Sequence, residues 1–183
     1  VTSEKAGRGL ARNTVLSAVS EGSFLLLALL FLLLPRALGP VAFGEYSAAA
    51  AFVGLFRILP DFGMSYASTI AISRDPSVAE RWAGNLLAFQ SVLSVFTIVL
   101  CLGIGKWLFA GVTFEAVAIL AVALVLSSYK MTLRWLLKSF DRFGTEALSL
   151  ILERGLLFLL GVLALRAGWG VVGFVLVFAL VRV

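Results

Sequence analysis

Six apolar stretches, at roughly 13–34, 45–72, 85–105, 114–132, 147–165 and 168–183, leave little of this 183-residue chain outside them. A bilayer core is about 30 Å thick, and about twenty helical residues cross it. In lipid the backbone must satisfy its own polar groups, which leaves helices or a closed barrel. The runs are long blocks of Leu, Val, Ala and Phe, whereas barrel strands alternate over about ten residues. With 61% apolar residues and a mean hydropathy of +1.07, the chain reads as an all-α, polytopic helical membrane protein. The first twelve residues are then a polar N-terminus, and 13–183 form a six-helix transmembrane lobe.

Lys5, Arg8 and Arg12 precede the first apolar run, as they would in a secretory signal. Val15 to Leu34 is too long for a signal core, however, and Pro40 follows directly on the small-residue site Ala37-Leu38-Gly39. The run is expected to stay as the first span. The chain opens on Val1, and its sixth run is short, so an N-terminal piece of a longer protein is expected. A lone cysteine, Cys101, forms no internal disulfide. The absence of His beside that single Cys argues against a zinc site or a His-based triad, and no cofactor is expected.

With a cytoplasmic N-terminus, nine basic residues lie near inner ends: Lys5, Arg8, Arg12, Arg74, Arg81, Lys130, Arg134, Lys138 and Arg142. Three, Arg36, Lys106 and Arg166, lie near outer ends. This is a strong positive-inside bias in a cell membrane. It accounts for the net charge of +5 without a nucleic-acid partner.

Charges within the runs are the candidates for function, because each costs about 2.5–3.5 kcal/mol at a helix centre on insertion scales. Arg57 and Asp61 stand one turn apart, on a face continued by Ser65 and Ser68. Two readings remain open: an ion pair that neutralises itself in a packed bundle, or a polar site in a transporter. At 1.5 Å per residue, Glu21 lies roughly 12 Å from the inner end of the first span, and Glu153 and Arg154 roughly 10 Å into the fifth. Arg57 and Asp61 lie roughly 18 and 24 Å down the second span from its outer end. All five fall near or below the midplane, as a water-filled cavity open to the cytoplasm would arrange them. Pro60 between the pair, with Gly63 beyond, is expected to kink the second span and free a carbonyl near the charges.

Polar side chains also line up on other spans: Asn13, Ser17, Ser20 and Glu21 on the first, Gln90, Ser94, Thr97 and Cys101 on the third, and Ser149 with Glu153 on the fifth. For Ser and Thr, bonding back to their own helix or gluing helices together is the ordinary use. Lys130, Arg134, Lys138 and Arg142 recur every four residues as a basic stripe. It belongs either to the fourth span running out of the membrane or to an amphipathic helix on the inner surface. Attraction to anionic membrane lipid and admission of an anionic substrate both fit it.

Three features together resemble one family. They are Arg36-Ala37-Leu38-Gly39-Pro40 with Phe43-Gly44 and Tyr46; Asp61-Phe62-Gly63 late in the second span; and Leu137-Lys138-Ser139-Phe140-Asp141-Arg142-Phe143 before the fifth. Their order and spacing look like the start of polysaccharide-type flippases, the oligosaccharide-lipid exporters of the O-antigen and teichuronic type. The superfamily also holds multidrug and toxin extruders and the lipid II flippase. The resemblance implies two six-helix lobes facing a central cavity, of which this chain is the first, with the second lobe as its partner. It implies a transporter rather than an enzyme, carrying a polyprenyl-pyrophosphate-linked glycan outward by alternating access. Arg57 then meets the pyrophosphate, with Arg154 as second choice and Lys130 and Arg134 at the cytoplasmic entrance. Asp61, Glu21 and Glu153 orient those cations or bind a coupling ion. A guanidinium suits phosphate because it is always charged and donates in a fork. The alternatives are a multidrug extruder of the same superfamily, an intramembrane transferase and a structural membrane subunit. The extruder would favour acidic residues, and the transferase would need an acidic metal cluster or a large catalytic loop.

Overall fold

The computed structural model describes residues 18, 21–75, 77, 79–138 and 143–182. They form α1 (Phe24–Leu55), α2 (Met64–Arg74), α3 (Ala79–Leu108), α4 (Gly111–Lys138), α5 (Phe143–Arg166) and α6 (Gly170–Arg182). Four helical segments are long and apolar enough to cross a membrane: Phe24–Leu55, Arg81–Leu108, Gly111–Trp135 and Leu148–Arg166. The chain is an all-α, multi-pass membrane protein. The expected polar residues Lys5, Arg8, Arg12, Asn13, Ser17, Ser20 and Arg142 lie outside the described residues, as do the side chains of Glu80 and Lys138.

The first correction concerns the connection expected at 35–44. Helical backbone continues through it except at Gly39, whose φ of 79° and ψ of 167° break α1 into two arms. The break is a reversal. Phe31 and Tyr46 are fifteen residues apart, or roughly 22 Å along a straight helix. Their ring centroids are nonetheless 6.4 Å apart, so the arms fold back on each other. Two adjacent residues make this turn. Pro40 pushes the residue before it out of the helical region, and only glycine tolerates the φ and ψ that result.

The second correction concerns the span expected at 45–72. Instead of one kinked helix, the second arm of α1 ends at Leu55, and α2 starts at Met64. Between them the chain is held by short turns, with Arg57 N–H donating to the Gly54 carbonyl, Leu59 to Phe56 and Met64 to Asp61. Pro60 has no N–H to give the Phe56 carbonyl, and Leu59 donates to it at 3.1 Å instead. Phe62 and Gly63 then take positive φ, 47° and 78°, to start α2 in a new direction.

The core gathers around α6, which packs against α1, α4 and α5. Tyr46 meets the edge of Phe174 at 5.5 Å, and Phe178 extends this cluster to Phe31. Leu30, Leu34, Val117, Leu157 and Val175 are buried around the rings. Gly161 on α5 admits Leu30 so closely that a Cβ there would lie 2.9 Å from its Cδ2. Small residues at such crossings let helix backbones approach in lipid. α3 packs on α2 and α4, and its outer face leaves Phe89, Val92, Val95, Phe96 and Val99 exposed. In the turn after α2, Ser77 donates its N–H and hydroxyl to Asp75, holding that carboxyl below the ordinary carboxylate range.

Gly39→Ala has room for its methyl group but not the backbone conformation. It is expected to destabilise the lobe by about 1–3 kcal/mol. Thermal unfolding in detergent measures this, and a variant that melts with the native protein would contradict the hairpin.

Candidate functional site

α4 is one helix from Gly111 to Lys138, so Lys130, Arg134 and Lys138 of the basic stripe belong to the fourth span running on and not to a separate surface helix. Lys130 and Arg134, one turn apart, both turn to α5. Lys130 Nζ lies 2.9 Å from Glu153 Oε1, and Arg134 Nη2 lies 2.5 Å from Glu153 Oε2. Arg134 also donates to Ser149 Oγ at 3.3 Å, one turn before Glu153 on the same face of α5. Lys130 donates in addition to the backbone carbonyl of Arg182 at the end of α6. Three helices thus meet around Lys130. The side chains of Lys130, Arg134 and Glu153 keep 23%, 15% and 17% of their surface exposed, so the cluster is half-buried and reachable.

Further cations surround this bridge. The Arg182 guanidinium lies over the Phe178 ring at 4.5 Å, within electrostatic reach of Glu153, Arg57 and Arg154. Arg154 donates to Ser23 Oγ at 3.0 Å and lies over Phe24, which ties α5 to the start of α1. Lys130 and Arg134 thus bind Glu153 directly, and Arg182 stands within electrostatic reach of it among the described residues.

Arg57 and Asp61, expected to pair, do not. Arg57 is exposed, and Asp61 has turned toward α2, where Ser65 donates its N–H at 3.1 Å and its hydroxyl at 2.6 Å to Asp61 Oδ1. The reason is the break in the helix. One-turn spacing aligns side chains only in continuous helix, and the turns at 56–63 rotate the two apart. A carboxylate beside the first turn of α2 also meets its free N–H groups. Both residues still line one open cleft of about 530 Å³, with Gly54, Leu55, Ile58 and Gly63. Glu21 is exposed and makes no ion pair with a described residue.

A second polar cluster joins α2, α3 and α4. Ser65 Oγ and Thr132 Oγ1 stand 2.9 Å apart, Thr132 Oγ1 lies 2.9 Å from Gln90 Oε1, and Gln90 Nε2 donates to Ser128 Oγ at 3.0 Å. Thr132 has one proton for three acceptors, since the Ser128 carbonyl also lies 3.1 Å away. The stripe Gln90, Ser94, Thr97 and Cys101 is buried as aligned, facing inward. Thr97 donates to the Leu93 carbonyl and Ser68 to the Met64 carbonyl, the back-bonding ordinary for such residues.

Of the residues singled out from the sequence, Lys130, Arg134 and Glu153 stand together, Arg154 binds Ser23 and Phe24, and Arg57 lies in the cleft with Asp61. Sequence reasoning missed Arg182. The available signal was a basic residue closing an apolar run on the same side as the Lys130 stripe.

These features define a multi-pass helical membrane protein with a cation-rich site at the meeting of α4, α5 and α6. The family model described as polysaccharide biosynthesis protein matches residues 10–182, and the chain belongs to that family. The resemblance carried by the hairpin and the Asp61-Phe62-Gly63 segment is thereby borne out. No curated protein and no solved structure matches the chain. The protein thus has a role in polysaccharide biosynthesis at a membrane.

Thr132→Val removes the hydroxyl shared by Ser65, Gln90 and Ser128. It is expected to cost about 1–2 kcal/mol, within the range of a buried interhelical hydrogen bond. Equilibrium unfolding in mixed micelles reads the loss. Thr132→Ser, which keeps the hydroxyl, is expected to recover most of it.

Proposed function

We propose that the chain is the first lobe of a flippase that carries a polyprenyl-pyrophosphate-linked oligosaccharide from the inner to the outer leaflet. The observation that supports this most is the half-buried cluster of Lys130 and Arg134 around Glu153, with Arg182 within electrostatic reach of the same carboxylate. A pyrophosphate is the group of such a cargo that needs cations inside a membrane. Guanidinium and ammonium groups hold it by charge-assisted hydrogen bonds. A cationic drug, the cargo of an extruder, would be repelled there.

In this reading the N-terminus is cytoplasmic, in the cell membrane, and the site opens toward the side where the lipid-linked glycan is made. The second lobe closes the cavity from the opposite face. The break at 56–63 is the flexible joint. A discontinuous span beside a polar cleft is the arrangement by which transporters alternate their access. Arg57, exposed in the cleft, meets the pyrophosphate first, and the cluster on α4, α5 and α6 holds it deeper. Glu21, at the inner end of the first span, belongs to the cytoplasmic mouth. Asp61 shapes the joint through Ser65, with its second oxygen left for a coupling ion.

The test is export of a fluorescent polyprenyl-pyrophosphate oligosaccharide by the protein in proteoliposomes, read as protection from a reagent added outside. Arg57→Ala is expected to slow export about tenfold or more, the scale of one lost charge-assisted hydrogen bond. Arg57→Lys is expected to recover part of it, since the charge remains and the fork does not. Full export by Arg57→Ala would remove this residue from the pathway.

A further inference from the structure

Both carboxylate oxygens of Glu153 are engaged, one by the Lys130 ammonium and one by the Arg134 guanidinium. A phosphoryl group presents the same arrangement, two anionic oxygens on one centre, to the same donors. Cargo and Glu153 therefore cannot both use Lys130 and Arg134 at full strength. The donors sit on α4 and the carboxylate on α5. These helices touch each other far less than either touches α6, so the bridge is a principal tie between them. The lysine is also held by the Arg182 carbonyl, which leaves it in place when the carboxylate departs.

From this we infer that Glu153 is a built-in stand-in for the cargo: it occupies Lys130 and Arg134 while the site is empty, and the incoming pyrophosphate displaces it and releases α4 from α5. The inference rests on the reading of the site as a pyrophosphate-lipid site and adds a device to it. The device serves two ends. Two cations in a membrane interior need a counter-charge when no cargo is present, because an unpaired buried charge is strongly destabilising. A carboxylate that must leave before cargo is fully held also keeps binding from becoming too tight for release. Because loading breaks the α4–α5 tie, occupancy is coupled to helix movement by differential contacts in the two states.

The experiment uses the protein in nanodiscs of neutral phosphatidylcholine, with farnesyl pyrophosphate as the probe. Spin labels are placed at the exposed positions Met131 on α4 and Leu152 on α5, in a Cys101→Ser background. Two results are expected. Glu153→Gln binds farnesyl pyrophosphate at least about tenfold more tightly than the native protein, equivalent to about 1.4 kcal/mol. The Met131–Leu152 distance lengthens when the native protein is loaded, and is already long in unloaded Glu153→Gln. A purely structural bridge would let the distance change in the variant but would not tighten binding. Affinity in Glu153→Gln that is equal to or weaker than native overturns the inference, and so does a distance that loading leaves unchanged. If Glu153→Gln does not fold, Glu153→Asp is read in the same way, since its shorter arm cannot span both cations. If the native protein fails to bind the probe at all, the pyrophosphate reading falls and this inference falls with it. Native binding without tightening overturns the inference alone.

Discussion

A charge or a backbone amide placed in lipid must find its partner within the protein, and most of this fold follows from that requirement. The Glu153 carboxylate is met by Lys130 and Arg134, which brings α4 and α5 together at a point where they otherwise make little contact. The Gln90, Ser128 and Thr132 side chains satisfy one another between α3 and α4, and Ser65 joins them to α2. Arg154 finds Ser23 and the face of Phe24. Apolar contact alone orders helices weakly in a bilayer, because lipid tails are as apolar as leucine. The polar pairs decide which helix faces meet, and the aromatic cluster of Tyr46, Phe174 and Phe178 then fills the space they enclose.

The two breaks in the helical backbone obey the same rule. At Gly39 the chain reverses through a single residue in a conformation open to glycine. At 56–63 the break is longer, and the cost is met locally by short turns and by Asp61 beneath the start of α2. What remains of that segment is an open cleft carrying Arg57. The chain has thus placed the irregular backbone of 56–63 beside its exposed arginine. Irregular backbone at membrane depth is tolerated where it lines a cavity rather than lipid.

Much of this architecture could be read from the residues. Long apolar runs can only be spanning helices, and Arg81–Leu108, Gly111–Trp135 and Leu148–Arg166 follow the third, fourth and fifth of them, whereas Phe24–Leu55 joins parts of the first two across Gly39. The inward face of α3 was legible because Gln90, Ser94, Thr97 and Cys101 recur at helical spacing within uninterrupted helix. Lys130 and Arg134, and Ser149 and Glu153, keep their alignment for the same reason. Arg57 and Asp61 did not keep theirs, because Pro60 lies between them and the spacing rule assumes continuous backbone. The gap at 35–44 between the first two expected spans left ten residues for a connection where one residue suffices.

The sequence by itself determined the class of the protein, the membrane as its solvent, the family, and the identity of most charges in the site. Those properties depend on composition and on local periodicity, which are visible along a single strand of residues. Only the tertiary structure decided the partners: Glu153 with Lys130 and Arg134 in place of a lipid-facing stripe, Asp61 with Ser65 in place of Arg57, and Arg182 as a member of the cluster. Pairing between helices depends on their relative rotation and depth. These are set by long-range contacts around α6, and no spacing within one helix encodes them.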